Sequence, residues 1–174
     1  MILLITGGAA SGKSEYAEEC ILKSGLSPRL YAACMEITGP EAQARAARHR
    51  ALRAGKGFLT LECPRDVAET AMPPCEAVLL ECLTTLTANE CFGPKGFDGA
   101  KERIMAGIDR LAHGPALTVL VTGDLTSDGG GYDSLTSRYL AVHAAVNEKA
   151  ARLAEVVIEV VYGVPIPVKG ELPF

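Results

Sequence analysis

The stretch "ILLITGGAASGKSEYAEECILK", residues 2–23, decides the fold of this chain. A short apolar run, "ILLIT", leads into the glycine-rich "GGAASGKS" (7–14), and a helix-forming segment follows. The glycine-rich part matches the pattern G-x-x-x-x-G-K-[ST] in the strand-to-helix context that this pattern requires. Glycines let the backbone wrap around a phosphate, and the start of the helix adds the positive end of its dipole. The stretch therefore predicts a phosphate-binding P-loop.

The P-loop pattern predicts a role for each of its parts. Lys13 is expected to neutralise the β- and γ-phosphates of a nucleotide, and Ser14 to ligate Mg²⁺. A P-loop also needs a carboxylate for this ion, and Glu81, at the end of the apolar run "AVLLE", has the right form. The predicted nucleotide-binding residues of the loop are Gly7, Gly8, Ala9, Ala10, Ser11, Gly12, Lys13 and Ser14.

Apolar runs alternate with helical segments along the rest of the chain. The runs are near-continuous rather than alternating in polarity, as is typical of strands buried on both faces. This order predicts one domain over 1–174 with an α/β fold: a P-loop NTPase-like (RecA-like) three-layer sandwich with a mostly parallel sheet. The proline-rich tail predicts at most one short edge strand, and loops are expected at 93–99 and 122–134. Strands are predicted at 2–6, 29–35, 58–63, 77–82, 117–122 and 155–163, and helices near 13–24, 40–54, 65–71, 84–92, 98–112 and 134–154.

Acidic side chains follow four of the predicted strands. Because ligands bind at the carboxyl ends of the strands in such sheets, we expect these acids to gather into one polar site that can hold a metal. Alternatively, acids at these positions only favour the start of the next helix. The four residues are Glu36, Glu62, Glu81 and Asp124.

The composition limits the class of protein. With 17 basic and 21 acidic residues the net charge is −4, which argues against a nucleic-acid binder. No apolar run reaches the ~18 residues of a membrane span, and the N-terminal run has no charged segment before it, so no signal peptide and a cytoplasmic location are expected. The six cysteines form no C-x-x-C pair, which favours reduced thiols used as small apolar side chains.

The basic run "RAARHRALR" (45–53) poses a separate question, because His49 lies in its middle. On a helix, Arg45, His49 and Arg53 share roughly one face. The two arginines would then favour a neutral, nucleophilic imidazole and stabilise charge on an attacked phosphate. Arg48 and Arg50 are expected to point elsewhere. From the residues alone, an ordinary surface histidine is the favoured interpretation of this pattern.

Four stretches together resemble a known family: "TGGAASGKS" (6–14), "YAACMEITGPEAQARAARHRALR" (31–53), "TLEC" (60–63) and "LLECLTTLTAN" (79–89). The family is the bifunctional adenosylcobinamide kinase / adenosylcobinamide-phosphate guanylyltransferases of cobalamin (vitamin B12) biosynthesis. The resemblance resumes at "VLVTGDL" (119–125) and over 146–170. It implies two reactions: phosphorylation of adenosylcobinamide by ATP or GTP, and transfer of GMP from GTP to the product, which gives adenosylcobinamide-GDP.

The resemblance also implies site residues and partners. The histidine that carries GMP as a phosphoramidate in this family corresponds to His49, so the implied catalytic residues are His49 and Lys13. Mg²⁺, held by Ser14 and Glu81, is the implied cofactor, a small corrinoid and the nucleotides are the implied partners, and a homotrimer is the implied assembly. Beyond the P-loop, the implied nucleotide contacts are Cys34, Met35, Glu36, Arg50, Ala51, Leu52, Arg53, Glu62 and Glu81.

The chain departs from the family pattern in three places, and one of them is "RAGKG" (53–57), where the family has an Arg-Pro after the helix. Gly123 and Asp124 replace an Asn-Glu pair after the fifth strand, and Leu140 and Ala141 follow Tyr139 where the family usually carries Arg-Asp. These positions bear on the corrinoid substrate or the kinase reaction. Two other hypotheses therefore stay open at this point: a P-loop kinase for another small alcohol, and a nucleotide-binding protein without catalysis.

Overall fold

Seven strands form one sheet in this computed structural model, which describes residues 1–125 and 131–173. The strands are β1 (Ile2–Thr6), β2 (Arg29–Ala33), β3 (Phe58–Glu62), β4 (Ala77–Glu81), β5 (Leu117–Val121), β6 (Val156–Val161) and β7 (Val164–Lys169). Their order across the sheet is β3-β2-β4-β5-β1-β6-β7. The pair β6–β7 is antiparallel, and the other neighbours pair in parallel. The predicted, mostly parallel sheet is confirmed, and the tail supplies its edge strand.

Five helices connect the strands over the described ranges: α1 (Lys13–Ser24), α2 (Gly39–Arg53), α3 (Leu83–Phe92), α4 (Ala100–His113) and α5 (Ser134–Leu153). The helix predicted at 65–71 is wrong. The carbonyl of Asp66 closes a short turn by accepting from the N–H groups of Glu69 and Thr70. The guanidinium of Arg110 on α4 donates to three carbonyls of this segment, at 2.6–3.0 Å, and so stabilises its non-helical conformation.

The helices cover the sheet from two sides, which gives three layers. On one face, α1 packs across β4, β5, β1 and β6, with Ile21 and Leu79 among the fully buried side chains. On the other face, α3, α4 and α5 pack on each other and on a second apolar core that includes Leu80 and Ile108. This is the predicted P-loop NTPase-like architecture. The six cysteines are free thiols, and four of them are buried, as their apolar surroundings in the sequence predict.

The two edge strands of the sheet are partly exposed, as expected for the tail strand β7 but not for β3. β3 ends the sheet on one side, and its Leu59 is 53% exposed. β7 ends the other side, where Val164 and Val168 are exposed. Burial on both faces was expected for β3, but an edge strand lacks a neighbour and a full helical cover on its outer side. Over the described ranges, no helix combines the length and apolar character needed to cross a membrane.

The parallel register places functional side chains together at the carboxyl ends of the strands. Ala33 at the end of β2 is in register with Glu62 on one neighbour and with Glu81 on the other. The loop 7–12 leaves the same edge from β1. The carboxyl ends of the parallel strands therefore carry the functional groups, as expected for such sheets.

Candidate functional site

The P-loop depends on two glycines at its ends. Gly7 has φ 152° and Gly12 has φ 91°, backbone angles that favour glycine. A Cβ at Gly7 would lie 2.5 Å from the carbonyl oxygen of Val160, so no side chain fits there. The N–H of Gly163, in the turn between β6 and β7, donates to the carbonyl of Ser11 at 2.8 Å and so holds the P-loop against this turn. Residues Ala10–Glu15 line a hollow of about 270 Å³.

Ser14 and Glu81, the predicted Mg²⁺ ligands, lie side by side. The Ser14 hydroxyl donates to Oε1 of Glu81 at 2.5 Å, and Nζ of Lys13 donates to the carbonyl of Gly8 at 2.9 Å. Burial raises the pKa of Glu81, while the bond from Ser14 opposes this rise. A hydroxyl and a carboxylate fit Mg²⁺, which is typically bound by one or two carboxylates and completes its shell with phosphates and waters.

A second pocket of about 250 Å³ lies beside Glu81 and contains His49. One face of α2 contributes the imidazole of His49 and three guanidinium groups. The ends of β2, β3 and β4 contribute the opposite wall. The predicted residues that the structure brings together here are Cys34, Met35, Arg45, His49, Arg50, Arg53, Glu62 and Glu81.

Arg53 is the buried cation of this pocket. Only 6% of the residue is exposed, and its guanidinium carbon lies 3.5 Å from the centre of the Tyr31 ring. Its Nε is buried without a hydrogen-bond partner among the described residues. Desolvation lowers the pKa of Arg53, against the opposing effect of the nearby carboxylates of Glu18 and Glu62. A buried guanidinium of this kind favours an anionic ligand such as a phosphate.

Charged contacts hold the His49 helix against the body of the protein. Arg50 pairs with Glu62 at 2.5 Å, and Lys56, just after α2, pairs at 2.5 Å with Glu18 on the P-loop helix α1. Arg50 therefore faces the pocket, and the prediction that it points away is wrong, because Glu62 at the end of β3 attracts it. Arg48 is exposed, as predicted.

The four strand-end carboxylates do not form one cluster. Glu62 and Glu81 line the His49 pocket, but Glu36 lies in a separate hollow and pairs with Arg65. Asp124 lies past β5, where its N–H contacts the carbonyl of Gly7 at 3.4 Å. In the part of the chain that the structure describes, no three His, Cys, Asp or Glu side chains are placed to hold a metal ion. The expected four-carboxylate metal site is therefore wrong, because the cation Arg65 removes Glu36 from it.

Two other predicted contacts also lie elsewhere or outside the described groups. Ala51 is exposed on α2 and does not line the pocket, because it lies on the opposite side of the helix from His49. The side chain of Leu52 is not among those that the structure describes. The predicted loop 122–134 falls partly on residues 126–130, which lie outside the described residues.

Three residues of the His49 pocket, Tyr31, Cys82 and Thr85, are not indicated by any motif in the sequence. Tyr31 lies within an apolar strand and reads as a core residue, while its partner Arg53 is far away along the chain. The sequence also gives no sign of a hydrogen-bonded group of side chains around the buried His143 of α5. Its Nε2 lies 3.1 Å from Oγ1 of Thr84 and 3.3 Å from Oγ1 of Thr122.

The His143 group supports the loop after β5. The Thr84 hydroxyl accepts from the N–H of Gly123 at 2.9 Å, and Thr122 donates to Asn147 at 2.8 Å. Burial lowers the pKa of His143, against an opposing effect of Asp124. The imidazole therefore favours its neutral form, and its contacts with the two threonines give it a structural role beside the loop after β5.

Glu81 joins the two hollows into one site. It lines the His49 pocket and accepts from Ser14, which lines the P-loop hollow. The arrangement places the P-loop backbone, a metal-capable pair and an imidazole flanked by arginines at the carboxyl ends of the parallel strands. Such a site can bind a nucleoside triphosphate and present its phosphates to an imidazole.

Comparison with known structures supports the fold alone. A KaiC-like protein from Pyrococcus horikoshii superposes with a TM-score of 0.50 at 14% identity, over 91% of this chain and 69% of that one. The flagellar accessory protein FlaH from Methanocaldococcus jannaschii also gives 0.50, at 10% identity, over 98% of this chain and 78% of that one.

Comparison of sequences is more specific. The bifunctional adenosylcobalamin biosynthesis protein CobP of Pseudomonas aeruginosa is 34% identical over 97% of both chains. Its counterpart CobU of Salmonella typhimurium is 32% identical over 97% of this chain and all of the relative. The family model described as cobinamide kinase / cobinamide phosphate guanyltransferase matches residues 3–168. The chain therefore belongs to the cobinamide kinase / cobinamide phosphate guanyltransferase family.

Proposed function

We propose that this protein phosphorylates adenosylcobinamide with ATP or GTP and then transfers GMP from GTP to adenosylcobinamide phosphate, with His49 as the GMP carrier. The substrates follow from the family, whose name contains both reactions. The observation that carries the role of His49 is its place in one pocket with Arg45, Arg53 and Glu81, where Glu81 also bonds to Ser14 of the P-loop.

In the kinase reaction, the P-loop binds the triphosphate through its backbone N–H groups, and Lys13 balances the charge of the β- and γ-phosphates. Ser14 and Glu81 would hold Mg²⁺, which supplies charge neutralisation when bound. The hydroxyl oxygen of adenosylcobinamide attacks the γ-phosphorus, and a new oxygen–phosphorus bond forms. The bond from this phosphorus to the oxygen that bridges the β- and γ-phosphates breaks, ADP or GDP leaves, and the hydroxyl proton passes to solvent.

In the second reaction, a ring nitrogen of His49 attacks the α-phosphorus of GTP. A nitrogen–phosphorus bond forms, the bond from the α-phosphorus to the oxygen that bridges the α- and β-phosphates breaks, and pyrophosphate leaves. A phosphate oxygen of adenosylcobinamide phosphate then attacks the same phosphorus and releases the histidine. Arg45 and Arg53 stabilise the negative charge that develops on the phosphoryl oxygens.

A labelling experiment tests the carrier role. GTP labelled at the α-phosphate is incubated with the protein and Mg²⁺, and protein-bound label is measured after acid and after base treatment. We expect acid-labile, base-stable label on the wild type and none on His49→Ala. His113→Ala, an exposed histidine on α4, is the matched control and should label fully. Unlabelled wild type would refute the guanylyltransferase half.

The kinase half is tested separately with γ-labelled ATP and adenosylcobinamide. We expect labelled adenosylcobinamide phosphate from both the wild type and His49→Ala, because the phosphoryl group is held by the P-loop rather than by His49. An absence of product with the wild type would leave guanylyl transfer as the sole activity, in line with the replaced Asn-Glu and Arg-Asp pairs.

The proposal includes three further parts. Mg²⁺ is the expected ion, on the chemistry of Ser14 and Glu81. A homotrimer in the cytoplasm is expected from the family resemblance, and sedimentation of the purified protein tests the assembly. The nucleotide contacts at Cys34, Met35, Arg50, Arg53 and Glu62 are proposed from their place in the His49 pocket.

A further inference from the structure

A third hollow, distinct from the P-loop hollow, adjoins the His49 pocket. The two proposed reactions described above do not use it. It has a volume of about 530 Å³, more than twice that of the His49 pocket. A pocket for a drug-sized ligand usually measures about 300–1,000 Å³, so the smaller pocket suits part of a nucleotide and the larger one part of a bigger molecule. Its walls include Glu36, Arg65, Asn89, Phe92 and Gly93.

The two hollows share a wall at Cys34. The N–H of Cys34 donates to the carbonyl of Glu81 at 2.8 Å, and Cys34 lines the His49 pocket. On its other side, the carbonyl of Cys34 accepts from Nδ2 of Asn89 at 2.7 Å. Asn89 and Glu36 line the larger hollow, while Met35, which precedes Glu36 in the chain, lines the smaller one. A molecule in the larger hollow therefore needs to cross only one backbone segment to reach the nucleophile.

An exposed aromatic ring forms one side of this hollow. Phe92 is 54% exposed, although it is a large apolar side chain at the end of α3. Its position is fixed by an edge-to-face contact with Phe97 at 5.2 Å and a tilted contact with Tyr139 at 5.7 Å. The Tyr139 hydroxyl in turn donates to the carbonyl of Thr84 at 3.1 Å. The ring is thus held firmly in an exposed position, as a binding surface for an apolar partner requires.

Polar groups complete the hollow opposite this ring. Arg65 pairs with Glu36, so the wall offers donors and acceptors together with little net charge. A corrinoid has a matching character, since its ring is broad and largely apolar and its side arms end in neutral amides. A nucleotide matches less well, because the hollow lacks the unpaired cation that Arg53 gives to the His49 pocket.

We propose that this hollow binds the corrinoid acceptor, with Phe92 against the apolar face of the macrocycle and the Glu36–Arg65 pair and Asn89 towards its amide arms. The proposal rests on the proposed function, and it adds the place from which the acceptor phosphate enters the His49 pocket past Cys34. Phe92 is a binding residue in this arrangement and takes no part in the bond changes.

The test separates acceptor binding from chemistry. Phe92→Ala is compared with Leu59→Ala, which removes an equally exposed apolar side chain (53%) from the edge strand β3. We expect Phe92→Ala to raise the KM for adenosylcobinamide phosphate about tenfold, a modest loss for one aromatic contact. Labelling of His49 by GTP alone should be unchanged, because that step needs no acceptor. Leu59→Ala should match the wild type in both assays.

Phe92→Leu keeps apolar bulk without the flat ring and should give an intermediate KM. Normal labelling with an unchanged KM in Phe92→Ala would overturn the proposal. If the wild type itself does not label His49, the guanylyltransferase half of the proposed function fails but the hollow is still testable. Direct calorimetric binding of adenosylcobinamide to the nucleotide-free protein then decides: weaker binding in Phe92→Ala than in Leu59→Ala supports the site, and equal binding refutes it.

Discussion

Ser14 on the P-loop helix donates a hydrogen bond to Glu81 at the end of β4, with 2.5 Å between Oγ and Oε1. The two residues are distant in sequence, and their contact joins the phosphate-binding loop to the pocket of His49. Burial raises the pKa of Glu81, so the carboxylate is kept at this junction at a cost in stability. A costly carboxylate beside a P-loop is typical of a functional group rather than a stabilising one.

The first prediction concerns Glu81→Gln. We expect both reactions to fall about 100-fold or more, because the amide cannot replace the charge of the carboxylate towards a metal ion. Without nucleotide at pH 8, the free energy of unfolding should rise by up to about 1 kcal/mol, because the buried charge is gone. This gain should shrink as the pH falls through the raised pKa of Glu81, since the wild-type carboxyl then becomes neutral as well.

Enzyme assays and urea unfolding at several pH values measure these effects. Glu69→Gln, which neutralises an exposed carboxylate outside the site, is the control and should change neither activity nor the pH dependence of stability. Full activity in Glu81→Gln would exclude the proposed role of this residue.

The second prediction concerns Arg53. Arg53→Met replaces a buried cation by an apolar side chain of similar length, so the melting temperature should stay the same or rise. Labelling of His49 by GTP should slow by about 100-fold, because the guanidinium no longer meets the phosphate. Arg48→Met removes an exposed arginine from the same helix and should label at the wild-type rate. Equal labelling rates in the two variants would refute the assignment.

A third prediction tests the tether between the P-loop helix and the His49 helix. Glu18 is 8% exposed and pairs with Lys56, so Lys56→Met leaves a buried carboxylate without its partner. We expect a loss of about 1–3 kcal/mol in the free energy of unfolding, less than for a fully buried pair because Lys56 stays partly exposed. The double variant Glu18→Gln/Lys56→Met should lose less than the single variant.

Lys23→Met supplies the comparison for this tether. It breaks an exposed pair with Glu19 on the same helix α1 and should leave the free energy of unfolding nearly unchanged. Strictly additive effects of the Glu18 and Lys56 substitutions in urea unfolding would show that this pair contributes no coupling.

The fourth prediction is a pH dependence from His143. Burial lowers the pKa of this imidazole in the folded protein, so below about pH 6.5 the unfolded chain binds the proton more readily. The wild type should therefore lose stability as the pH falls from 6.5 towards the lowered pKa. His143→Gln should flatten this part of the curve of melting temperature against pH, whereas the exposed His113→Ala should leave it unchanged. A wild-type curve retained in His143→Gln would mean that other groups cause the loss.

Much of the fold could be predicted because its elements depend on local rules. The P-loop pattern, the apolar runs and the helix starts each follow from neighbouring residues, and five predicted helices match the structure within a residue or two. The segment 65–71 failed because Arg110, a distant residue, binds its carbonyl groups. The prediction that β3 is buried on both faces failed for a related reason, because the sequence of a single strand does not determine its position in the sheet.

The same distinction between local sequence rules and contacts of distant residues applies to the candidate site. By itself, the sequence determined the P-loop, the helix that places Arg45, His49 and Arg53 on one face, and the carboxylate at the end of β4, because residue type and spacing fix these locally. Only the tertiary structure decided that Glu81 joins the two hollows, that Tyr31 lies against Arg53, and that Glu36 pairs with Arg65 away from the other acids. These contacts join residues from different strands and helices, and their energies depend on burial and distance, which exist only once the sheet has assembled.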